Sequence, residues 1–199
     1  MAPRPDVSEK RKTEIVDAAA RVFSRKGFSG ARMDDIVKET GLSKGLLYWY
    51  FKGKDAIIVA IMRRMIGPTL KRAGDLATAK GSAVTRLLGF GEAAIKEVEI
   101  MQKVMPITFE FYSLAFRNRI VKKAFGEFFR VFIQSLRAII EQGIADGEFR
   151  PVDPDAASKA LMAIFEGTLL LWVFDSTMVD PTNIRAAVEL FIQGIERRP

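Results

Sequence analysis

MDDIVKETGLSKGLLYWYF, residues 33–51, reads as two short helices joined at a glycine. Met33 to Thr40 carries Asp34 and Asp35 in its first turn, where a helix favours negative charge, and directs Ile36 and Val37 inward. Gly41 ends it, because glycine takes the left-handed conformation that a sharp reversal needs. Ser43 suits the cap of the next helix, 44–51, by accepting an orphan backbone N–H. Leu47 and Phe51 lie four apart and can pack on Ile36, Val37 and Leu42, which leaves Lys44, Gly45, Tyr48 and Trp49 on the outer side. Neighbours in sequence do not share a helix face, so the four aromatics 48–51 cannot all enter one core.

Helix, glycine turn and helix is the layout of a helix-turn-helix, whose second helix enters the major groove of duplex DNA. Lys44 supplies charge at the start of that helix, Gly45 permits close approach, and Tyr50 and Lys54 reach toward flanking phosphates. Charge agrees with this reading. The chain has 199 residues and a net charge of +7, and residues 1–54 hold twelve Lys/Arg against seven Asp/Glu. Such asymmetry fits a head that meets a polyanion.

Outward from the motif, apolar positions recur at helical spacing almost throughout, and the expected fold class is all-α. Residues 1–8 read as a disordered arm and 9–54 as the DNA-binding domain; 55–199 reads as an all-helical ligand-sensing and dimerisation domain. A helix at 8–26 stops at Gly27, and one at 55–76 ends or kinks at Pro68. Further helices are expected at 83–104, 107–115, 120–145 (interrupted near Gly126), 154–174 and 182–197. Asp153 with Pro154 marks the start of the penultimate one.

Residues 13–60 resemble the DNA-binding domain of the TetR (tetracycline-repressor-like) family of bacterial regulators. The resemblance is carried by Ile15-Val16-Asp17-Ala18-Ala19, Phe23 with Gly27-Phe28, Asp35-Ile36-Val37, Gly41-Leu42-Ser43-Lys44-Gly45, Leu47-Tyr48, Tyr50-Phe51 and Lys54-Asp55. It implies that Ser43, Lys44, Gly45, Tyr48, Trp49, Tyr50 and Lys54 contact DNA. Where the family has Thr or Ser before its second helix, this chain has Ala31-Arg32-Met33, and Arg32 can take over a phosphate contact. The resemblance also implies a repressor that binds a palindromic operator as a homodimer and is released by a small-molecule inducer.

By the same analogy the helices 154–174 and 182–197 build a four-helix bundle with their copies. A small-residue stripe, Ala156, Ala160, Ala163 and Gly167, permits close helix approach, and Ile184, Val188, Phe191 and Ile195 are the expected apolar partners. The family places an inducer pocket in the middle helices. Candidate lining residues are Met101, Met105, Phe109, Glu110, Tyr112, Phe116, Phe132, Phe165, Glu166 and Trp172, a mostly apolar set with few polar groups, which favours a hydrophobic or amphipathic ligand.

Composition argues against other classes. The chain has no Cys and no His, so disulfides and the usual nitrogen and sulfur metal ligands are absent, and no cofactor or metal is expected. No Gly-rich phosphate loop or serine elbow points to an enzyme. No apolar run approaches membrane-spanning length and no signal peptide is visible, so the expected setting is the cytoplasm, with no membrane partner. A helical module that binds proteins or membrane surfaces is the competing class, separable by comparing liposome and DNA binding at matched salt.

Overall fold

A computed structural model describes residues 5–101, 105–175, 177–178, 180 and beyond to 197, with side chains described except at 5, 6, 94, 96–101, 105–109, 173 and 181. Among the described residues the protein is all-α, with helices α1 (Pro5–Gly30), α2 (Met33–Thr40), α3 (Lys44–Tyr50), α4 (Lys54–Thr78), α5 (Ala83–Met101), α6 (Met105–Ala115), α7 (Arg119–Ala145), α8 (Pro154–Phe174) and α9 (Pro181–Ile195). They form two compact units. One takes in the described residues of 1–66 and 106–125, the other those of 67–105 and 126–199.

This division differs from the expected boundary at 54/55. Residues 55–66 and 106–125 join the N-terminal head because they complete its core. Ile57, Ile58, Ile61 and Met62 are buried, as are Ile15, Ala19, Val22 and Phe23 of the same unit. The Phe28 ring lies 5.0 Å from Phe23 and 4.9 Å from Phe111 of α6. Burial of such rings stabilises by about 1.5–3 kcal/mol each.

Helix limits also differ in places. α1 already includes residues 5–8, expected as arm, and its helical hydrogen bonding resumes after a break at Gly27, where φ is 69°. α4 continues past Pro68 to Thr78, one of the two outcomes expected there, and α7 runs through Gly126 without ending. Packing along a long helix offsets a single weak helix former in its interior, which costs about 1 kcal/mol for Gly and about 3 kcal/mol for Pro.

In the second unit α5 packs against α9, and α8 against α9. Leu87, Phe90, Phe132, Leu136, Ile139, Ile140, Phe149, Leu161 and Val188 form its centre. The link between α7 and α8 ties three elements together. The Glu148 carboxylate accepts the Ala83 and Val84 N–H groups (2.9 and 3.2 Å), satisfying the start of α5. Phe149 donates its N–H to Gly143 O (3.0 Å), and the Arg150 and Arg197 N–H groups bond Ile195 O and Glu148 O (2.9 Å each). Asp153 caps α8 as expected, accepting from the Asp155 N–H at 2.9 Å.

Candidate nucleic-acid interface

The helix pair α2–α3 is fixed by local chemistry. Gly41 adopts φ 66° and donates its N–H to Val37 O at 3.0 Å, closing α2. The Ser43 hydroxyl accepts the Leu46 N–H at 3.3 Å, opening α3. Ile36 and Leu47 are fully buried and Phe51 nearly so, which anchors one side of α3.

The opposite side is bare. Ser43, Lys44 and Gly45 are exposed, Tyr48 is 37% and Trp49 55% exposed, and Tyr50 is half-buried. Trp49 and Tyr50 rings meet edge-on at 4.6 Å. Leu46, also 37% exposed, shares this outward side. Leu46 is not among the expected contacts; its position one turn from Tyr50 and next to the inward Leu47 is the signal in the sequence that marks it. Large rings kept in water carry a cost that a groove-bound state relieves.

The charged groups around α3 divide into those that build the head and those that remain presentable. Arg21 Nε pairs with Glu39 at 2.9 Å, Arg25 bonds the same carboxylate, and Lys26 pairs with Asp35 at 2.6 Å. These hydrogen bonds hold both carboxyls below their ordinary range, Glu39 through Arg21 and Arg25, Asp35 through Lys26 and the Arg32 N–H. Lys54, expected at phosphates, turns its ammonium onto Phe28 O and Ala31 O (2.6 and 3.0 Å) and so clamps the turn between α1 and α2. Unsatisfied turn carbonyls outcompete solvent for it because the site is partly buried. Arg32 is exposed at the start of α2, with no ion pair among the described residues. Lys44 is exposed and paired with Asp34 at 2.8 Å; that hydrogen bond, then the carboxylate's charge, raises the ammonium's pKa.

The expected ligand residues are divided between the two units. Glu110 uses a carboxylate oxygen to accept the Phe28 N–H at 3.1 Å, next to Gly27, so it fastens α6 to the α1–α2 turn. Glu110→Ala leaves that N–H unpaired and is expected to cost about 1–2 kcal/mol, read as a lower thermal midpoint. An unchanged midpoint would remove the fastening role. Tyr112 is half-buried with its ring 5.0 Å from Phe125. Phe116 is 89% exposed, because the spacing that groups it with Tyr112 runs past the end of α6. In the other unit Phe132 is core, with Phe90 at 5.4 Å and Phe165 at 6.2 Å. Phe165, Glu166 and Trp172 are half-buried. The Met101, Met105 and Phe109 side chains lie outside the described residues.

The expected dimer residues separate cleanly. Ala156, Ala160, Ala163 and Gly167 are exposed along α8. Ile184, Val188 and Ile195 are buried in their own chain and Phe191 half-buried, so this α9 face is not free for a partner. Its apolar period belongs to the contact with α5, where a Cβ on Gly91 would stand 3.2 Å from Val188. Exposed apolar side chains sit instead at Leu170, Leu171, Phe174 and Leu190.

Comparison with known proteins agrees with this geometry. Residues 15–61 match the family "Bacterial regulatory proteins, tetR family", and residues 83–196 match "BetI-type transcriptional repressor, C-terminal". The HTH-type transcriptional regulator YfiR of Bacillus subtilis is 25% identical over 189 residues, covering 94% of this chain and 92% of the relative. A Pseudomonas aeruginosa PAO1 structure superposes with a TM-score of 0.82 at 23% identity, covering 94% of this chain and 90% of its own. The transcriptional regulator FadR of Bacillus subtilis, solved in complex with stearoyl-CoA, gives 0.72 at 23% identity, covering 92% and 99%. With its head matching one model and more than half its length the other, the chain belongs to the tetR family of bacterial regulatory proteins, DNA-binding regulators of transcription.

Proposed function

We propose that the protein is a repressor that grips a palindromic operator as a homodimer and releases it when a small hydrophobic or amphipathic inducer binds. The observation that carries the DNA side is the split of α3, with Leu47 fully buried on one side and Lys44, Tyr48 and Trp49 exposed on the other. A dimer suits this reading because one short recognition helix reads few base pairs, whereas two multiply specificity. The inducer class rests on the abundance of aromatic side chains in α7 and α8, and an amphipathic ligand is what FadR holds in its complex. α4 carries residues of both units and is the natural lever between ligand and DNA head. For release, the inducer must bind the DNA-incompetent shape more tightly than the competent one.

Footprinting on DNA flanking the protein's own gene tests this, with and without a panel of hydrophobic and amphipathic compounds. The expected footprint spans two half-sites about one helical turn apart, ~34–36 Å, and one compound abolishes it. Absence of any protected sequence would overturn the DNA reading; protection that no compound alters would overturn the inducer.

The dimer has its own test. Gly167, Leu170, Leu171 and Phe174 continue the exposed Ala156–Ala160–Ala163 stripe at spacings of three and four, so the covered face is assigned to α8. Leu171→Glu with Phe174→Glu would bury two unpaired charges in that contact. Sedimentation is expected to show monomers at concentrations where the parent protein is dimeric; an unaffected dimer would place the interface elsewhere.

A further inference from the structure

Two adjacent acids open α2, and they have different surroundings. Asp35 spends both oxygens on the fold, one on Lys26 at 2.6 Å and one on the Arg32 N–H at 2.9 Å. Asp34 has a single described partner, the Lys44 ammonium at 2.8 Å, and both side chains of that pair stand mostly in solvent, 65% and 61% exposed. A surface pair of this kind adds little to stability. It does place a carboxylate beside the one cation of α3, next to outward Leu46, Tyr48 and Trp49, which carry no charge.

A carboxylate there repels phosphates, so it weakens binding to every duplex alike. The loss is offset only where DNA offers a hydrogen-bond donor. In the major groove the base donors are the cytosine N4 and adenine N6 amino groups. Adenine presents its N7 acceptor beside the donor, which opposes a carboxylate. In a cytosine–guanine pair the cytosine amino group lies beside the guanine O6 and N7 acceptors, which suit an ammonium. The acid–base pair on the protein therefore mirrors the donor–acceptor pair on the DNA.

We propose that Asp34 is a base-reading, specificity-determining residue that accepts from a cytosine amino group, while Lys44 donates to the guanine of the same or the adjacent base pair. The inference rests on the reading that α3 enters the major groove. It makes the Asp34–Lys44 contact a preformed reader that excludes other bases by leaving the second Asp34 oxygen, the one not on Lys44, without a donor in the groove, a cost that contacts to the right sequence alone do not carry.

The experiment is selection from a randomised duplex library at fixed salt, with the full-length parent, Asp34→Ala and Asp34→Asn. The parent is expected to enrich one cytosine at a fixed position in each half-site. Asp34→Ala is expected to lose that preference by roughly tenfold, with the other positions kept. Asp34→Asn should move it toward adenine, because a carboxamide donates to N7 and accepts from N6. A role confined to opening α2 would shift stability and leave base preference alone. If both variants enrich the parent's sequence unchanged, the inference is overturned while the DNA reading stands. If the parent enriches no sequence, the groove reading fails and takes this one with it.

Discussion

Trp49→Ala is expected to weaken operator binding by roughly 5–150-fold, the equivalent of about 1–3 kcal/mol for one lost base-reading contact. The folded state should barely notice. The indole is 55% exposed, and its one described ring contact, the edge-on approach to Tyr50 at 4.6 Å, is worth about 1 kcal/mol or less at the surface. Leu47→Ala supplies the contrast. That side chain is fully buried, so its loss should cost about 2–5 kcal/mol of stability and reduce DNA binding only by reducing folded protein. Fluorescence anisotropy on the footprinted operator, with thermal melts on the same samples, separates the two. A Trp49→Ala protein that binds with parental affinity would remove α3 from the groove.

What made this part of the molecule legible was locality. Gly41, Ser43 and the four-residue step from Leu47 to Phe51 decide their own geometry within one or two turns, and the structure repeats it. Asp153 and Pro154 set the start of α8 for the same reason. Long-range partners were not legible. The period through Ile184, Val188, Phe191 and Ile195 announces that α9 buries a face but not what buries it, and the answer is α5 of the same chain rather than a copy. Lys54 and Glu110 look like free charged groups in the sequence. Their actual partners, the carbonyls of Phe28 and Ala31 and the N–H of Phe28, lie 26, 23 and 82 residues away. The same distance hides the membership of 106–125 in the N-terminal unit, which the Phe28–Phe111 contact makes plain.

The largest loss of stability is expected at Phe149, in a turn whose sequence looks unremarkable. Its ring is 1% exposed and belongs to the core of the second unit. Phe149→Ala should cost about 3–5 kcal/mol, against a total stability of about 5–15 kcal/mol for a protein of ordinary size. A chemical-denaturation curve would show the midpoint falling without a change of slope. Gly143 makes the expectation sharper. A Cβ there would stand 2.3 Å from the Phe149 ring and 2.7 Å from the Ala83 Cβ, so Gly143→Ala alone forces the ring or the start of α5 to move, at about 1–3 kcal/mol. In the double variant the added methyl enters space the ring has left. The combined cost should therefore fall short of the two single costs added together, by more than the roughly 0.5 kcal/mol seen for independent sites. Strict additivity would mean that the ring and the glycine do not share this space, and the close approach of α7 to the following turn would no longer explain why residue 143 has no side chain.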